Sequence, residues 1–219
     1  MSDTNSLSVC GSRFELQKGI ISGWITDPYW TRTYAPDTPL EPKWGVELSF
    51  ERGIIGDESY GPCVYHASLP FNLRNWRELS GVTCEWNEPM NKHNQPNGGF
   101  YLWQHGSILE AHLEISRIEG SSFRVEWNGV CETLLESPIP SEANFSLIAE
   151  AEFTGIAVFT SECETEAEAH ERFARHFEFS DFMPDPVVWQ EQYKSGVKVG
   201  QIFFRPRLYD PLMEAHELK

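Results

Sequence analysis

Glu110, His112 and Glu114 stand two residues apart, so in an extended segment all three side chains leave the same face. Two carboxylates and an imidazole on one face are donor types suited to a facial metal site, but no fourth ligand and no supporting partner can be named beside them. The same spacing is that of an ordinary solvated strand face, and we read it so. The trio stays a weak metal candidate, and no cofactor is expected.

Other groups with chemical potential separate when their geometry is worked out. His170 and His176 are six residues apart on a predicted helix, about 240° of rotation, so they cannot share a ligand face. Glu166 and His170 are spaced as a simple i, i+4 helix pair. Cys63 and His66 are close in the chain but point to opposite faces of a strand. The sequence holds no G-x-S-x-G elbow, no Walker A loop and no G-x-G-x-x-G after a strand. No catalytic residue is assigned, and the chain is read as non-enzymatic.

Two long loops carry the remaining recognition chemistry. One, Thr26 to Lys43, holds Tyr29, Trp30, Arg32 and Tyr34 among prolines; the other, Asn87 to Gly99, holds Met90, Lys92 and His93. Loops on a rigid scaffold concentrate binding residues, and Tyr, Trp and Arg dominate interface energetics. Tyr29, Trp30, Arg32, Tyr34, Met90, Lys92 and His93 are therefore the candidate partner-binding residues.

The elements that must position these groups are mainly strands. Trp44, Val46, Leu48 and Phe50 alternate with Gly45, Glu47, Ser49 and Glu51, the period of a half-buried strand. Leu109, Ala111, Leu113 and Ile115 alternate likewise with Glu110, His112, Glu114 and Ser116. Phe123, Val125 and Trp127 repeat the pattern, with Gly120 at the hairpin position that needs positive φ. A long strand is expected from Ala143, bent at Gly155. Two capping boxes, Ser161 with Glu164 and Thr165 with Glu168, precede one amphipathic helix near 164–178, with Ala169, Phe173, Ala174 and Phe177 as its apolar stripe. A last strand from Val197 is stopped by Pro206.

The two halves also share a sequence of landmarks. Gly19-Ile20, Trp24 and Asp27-Pro28 recur as Gly81-Val82, Trp86 and Glu88-Pro89; Val46-Glu47-Leu48 and Gly53 recur as Leu113-Glu114-Ile115 and Gly120; Tyr60 and Cys63 recur as Trp127 and Cys131. The fold class expected is mainly β: a duplicated antiparallel β unit, 1–80 and then 81–160, forming a sandwich or open barrel. The segment 161–219 adds the helix, the final strand and a tail to the same body.

Composition narrows the function classes. Seventeen basic side chains against 33 acidic give a net charge of −16, concentrated in 142–185, which has eleven acidic residues and two basic ones. Such a field repels nucleic acid and anionic lipid and speeds encounter with a basic partner. Aromatic content of 13%, with eight tryptophans, supports a packed core without disulfide or metal. The five cysteines are widely spaced without a C-x-x-C pair, and the first residues lack a basic and apolar leader. Reduced thiols and a cytoplasmic location are expected.

Two function classes follow. The first is an acidic protein-binding module with a basic protein partner. In charge and in lacking a catalytic motif it resembles compact immunity-type or inhibitor proteins that neutralise secreted bacterial toxins, an analogy of composition only. The alternative is a hydrolase or small-ligand-binding protein with a pocket between the two β units, drawing on His93, His112 or nearby glutamates.

Overall fold

Alternation becomes architecture directly in the first half of the chain. Trp44, Val46, Leu48 and Phe50 are all buried within β3 (Lys43–Phe50), while Glu47 between them is exposed. The computed structural model describes residues 4–28, 31, 41–91, 96–135, 139–194 and 197–208. Around β3 the strands are β1 (Ser6–Val9), β2 (Ser12–Ile25), a separate β4–β5 ribbon (Gly53–Ile55 and Glu58–Tyr60) and β6 (Cys63–Leu69). They continue as β7 (Val82–Trp86), β8 (Gly99–Tyr101), β9 (His105–Glu119), β10 (Ser122–Glu132) and β11 (Glu142–Ser161). Helix α1 (Glu166–Ala174), β12 (Phe182–Pro184), β13 (Val188–Lys194) and β14 (Val197–Pro206) complete the chain.

The fold is mainly β. One large antiparallel sheet of twelve strands runs β2, β3, β6, β8, β9, β10, β11, and then out through β14 to β12. The path also returns on itself: β11 pairs with β2 in parallel, Glu152 to Val158 against Ile20 to Ile25, and β1 pairs with both where they diverge. Local alternation predicts the strands. It does not predict this parallel seam, which joins residues more than 130 positions apart. Gly120 (φ +55°) makes the β9–β10 turn, and Gly155 (φ +134°) sits at the bulge where β11 turns from its β10 pairing to its β14 pairing.

The barrel interior is filled by its own aromatic side chains. Trp44, Trp76, Trp127, Phe100, Phe123 and Phe153 are fully buried. Trp76 enters from a 3-10 turn (Trp76–Leu79) and stacks on Phe153 at 5.8 Å between ring centres. Phe177 from beyond α1 meets Trp44 edge-on at 5.9 Å and closes that end. Among the described residues the indole N–H groups of Trp44, Trp76 and Trp127 meet no hydrogen-bond acceptor, but each ring has an edge-to-face aromatic neighbour.

Three expectations change in detail. In β9 the inward positions are Ile108, Ala111, Leu113 and Ile115, with Leu109 turned away, because a bulge opposite Val130 and Cys131 shifts the phase by one residue. Helix α1 is shorter than 164–178. Its N-cap is Thr165, whose capping box with Glu168 is complete, because the Glu164 carboxylate is already bound to Arg172 and Thr160. Ala174 is exposed rather than part of the apolar stripe.

The third concerns the matched landmarks. The meanders β2–β3–β6 and β7–β9–β10 share a strand order, and Val46 and Leu48 are buried as their matches Leu113 and Ile115 are, but other matched residues face opposite ways. Trp24 points outward, opposite Lys43, whereas Trp86 packs inward against His66 and Trp127. Cys63 lies on the outer face and Cys131 in the core; Tyr60 belongs to the β4–β5 ribbon. Strand order and the facing of β3 and β9 relate the two halves; the facing of the other landmarks does not.

Candidate functional site

With the interior occupied, recognition chemistry belongs to surfaces. An open groove of about 520 Å³ lies on the outer face of β2, β3, β6 and β8, reaching the start of β9. It crosses the junction of the two halves: Trp24, Glu47, Cys63 and Tyr65 come from the first, Tyr101 and His105 from the second. The register explains the assembly. Ile20, Glu47, Tyr65 and Gly99 are cross-strand partners in one row, and Ser49, Cys63, Tyr101 and His105 form the next row beside it.

Two glycines shape the floor. A Cβ at Gly45 would stand 3.0 Å from Cζ3 of Trp24, and a Cβ at Gly99 would overlap the Tyr65 ring. Each aromatic ring therefore packs against a glycine on the neighbouring strand, where a Cβ would stand in its way. Tyr65 Oη and His105 Nδ1 form a hydrogen bond of 3.1 Å, and the Tyr101 ring is 5.0 Å from the imidazole. This pairing holds three rings in one cluster.

Cys63 and His66 separate as the strand geometry requires. Cys63 lines the groove, where burial first and the Glu47 charge second push its thiol up to about 11. At neutral pH it is a thiol, without the thiolate that nucleophilic chemistry needs. His66 is on the inner face, and burial holds its imidazole down to about 4; Nδ1 accepts from the Ser68 N–H at 3.1 Å. Alkylation at about pH 8 is accordingly expected to modify exposed Cys163 first, with Cys63 labelled at least about tenfold more slowly by peptide mass spectrometry. Equal rates would reveal an activated thiol in the groove and remove the ground for a non-enzymatic reading.

A second, more polar depression of about 490 Å³ contains Glu85, Asn87, Glu110, His112 and Asn128. His112 Nδ1 meets Glu85 Oε1 at 2.7 Å from the adjacent strand, on an exposed face. Among the described residues no group of three or more His, Cys, Asp and Glu side chains is arranged to hold a metal. Glu110, His112 and Glu114 do share the outer face, but neighbours on one strand face stand about 6.6 Å apart. His112 is drawn sideways to Glu85 and away from the other two.

Of the candidate binding residues, Met90 is exposed and bridges to Pro96. Tyr29, Trp30, Arg32, Tyr34, Lys92 and His93 lie outside the described residues. The anchors of the first loop are described: Ile25 and Lys43 end strands at the Trp24 side of the groove. The sequence reading missed the groove itself. Its signal would have been glycine within an otherwise alternating strand, at Gly45 and Gly99, which marks a place for a neighbouring ring.

Fold and groove together define the class: an acidic β protein whose closed sheet is filled with aromatic side chains and displays others outward. No family model, no curated protein and no solved structure matches the chain. No described helix is long and apolar enough to cross a membrane.

Proposed function

We propose that this chain is a non-enzymatic protein-binding module of the immunity or inhibitor type, and that its partner is a basic protein docking on the outer groove. One observation carries the reading. The interior is closed to ligands by Trp44, Trp76, Trp127 and Phe153, while Trp24, Tyr65 and Tyr101 are displayed together on the outside beside Glu47. Outward aromatic residues with polar handles are the usual anchors of interfaces, and a net charge of −16 favours encounter with a cationic surface.

The competing reading, a small-ligand or hydrolase pocket between the halves, draws on the groove's position and on a volume within the range of ligand sites. Against it stand the open form of the groove, the protonated Cys63 and a His112–Glu85 pair whose depression holds, among the described residues, no Ser, Thr or Cys nucleophile.

Affinity capture from an extract of the source organism tests the reading, at low and at moderate salt, with wild type, Trp24→Ala/Tyr101→Ala and Trp30→Ala/Tyr34→Ala. The expected result is a basic protein retained at low salt, weakened at moderate salt and lost with the groove variant. Loss only with the Trp30→Ala/Tyr34→Ala variant would move the interface to the loop. Capture of no basic protein by wild type would overturn the proposal.

A further inference from the structure

We infer that the groove is a seat for a single arginine side chain of the partner, stacked on Trp24 and Tyr65 and paired with Glu47. The inference rests on the basic-partner reading and narrows it to one side chain and three residues.

The argument begins with ring orientation. Trp24 packs against Gly45 and Tyr65 against Gly99, and both rings line the groove. Ring faces carry the negative end of the aromatic quadrupole and attract cations held within about 6 Å. On β3, in the same groove, is Glu47, directly opposite Tyr65 and two residues from Gly45. Its carboxylate is exposed, so it can meet a ligand without an internal rearrangement.

Two rings and one carboxylate match a guanidinium better than an ammonium. The guanidinium is planar, stacks on rings and presents two parallel N–H donors to a carboxylate, whereas the ammonium is a compact, strongly hydrated point charge. The groove's own ionisable lining is Glu47, Cys63, Tyr65, Tyr101 and His105, with Lys43 cross-strand from Trp24 at the rim. Cys63 stays a neutral thiol, so Glu47 is the carboxylate available to a bound cation. The Tyr65–His105 hydrogen bond ties the phenol to the start of β9.

Calorimetric titration with two capped peptides, nona-arginine and nona-lysine, tests the seat. The arginine peptide is expected to bind more tightly, and Trp24→Ala or Glu47→Gln each to weaken it about tenfold. Glu114→Gln, which removes the same charge from the outer face of β9, is expected to leave it nearly unchanged. Glu47→Gln replaces one exposed polar group by another, so its result stands even where Trp24→Ala perturbs folding. If Glu47→Gln and Glu114→Gln weaken both peptides by the same factor, binding is diffuse electrostatics; the seat is then refuted while the basic-partner reading survives. If neither peptide binds at low salt, the basic-partner reading falls with it.

Discussion

Arg172→Ala is expected to lower the stability of the fold by about 3–5 kcal/mol, the cost of leaving a buried ion without its partner. Arg172 is buried, and its guanidinium makes four hydrogen bonds. Nε and Nη2 reach the Glu164 carboxylate at 3.1 and 2.7 Å; Nη1 donates to the Thr26 carbonyl at 3.1 Å and Nη2 to that of Phe159 at 2.8 Å. One side chain thus ties α1 to the ends of β2 and β11. Its loss strands the Glu164 carboxylate, which keeps only Thr160, together with two carbonyls that water reaches poorly. The double variant Arg172→Ala/Glu164→Ala is expected to recover part of the loss, because no unpaired carboxylate remains. Urea unfolding of wild type, both single variants and the double variant gives the coupling. Strictly additive losses would show that the pair contributes nothing as a pair. Thr26 also follows directly on the strand that carries Trp24, so the variant is expected to loosen the groove rim as well.

The second large effect appears on acidification. The His66 imidazole, on the barrel's inner face against Trp86, is held at about 4 by burial, below the ordinary 6.5. Above pH 6.5 the group is neutral in both folded and unfolded chains and costs nothing. As pH falls from 6.5 to about 4 the unfolded chain takes up a proton that the folded barrel refuses, so stability falls with pH; the loss approaches about 3 kcal/mol. Carboxylates titrate in the same window, so the contribution is isolated by comparison with His66→Gln, whose amide can still accept from Ser68. The gap in unfolding free energy between the two proteins is expected to change by about 3 kcal/mol in favour of the variant between about pH 7 and about pH 4. A constant gap would mean that the imidazole is already protonated in the folded barrel.

The strands were legible because burial on one face writes a period of two into the chain. Phe123, Val125 and Trp127 are inward as that period requires, and so are the residues of β3. Legibility ended where one residue breaks the phase. The bulge near Leu109 turned a correct strand into a wrong inward residue, and matched landmarks such as Trp24 and Trp86 proved to lie on opposite faces. A shift of one position reverses every side chain of a strand, so a resemblance in residue order that tolerates small insertions cannot define facing.

Taken alone, the sequence determined what depends on neighbours in the chain. It defined the alternating strands, the hairpin at Gly120, the helix start at Thr165 and Glu168, and the net charge of −16. Tertiary structure alone decided what depends on register between distant segments. The parallel seam of β2 and β11 closes the sheet, and the cross-strand rows set Trp24 against Gly45 and Tyr65 against Gly99. The groove is assembled from residues 20 to 105, which no local period connects. The physical reason is that alternation fixes which face a residue takes, whereas only backbone pairing between strands fixes which residues share that face as neighbours.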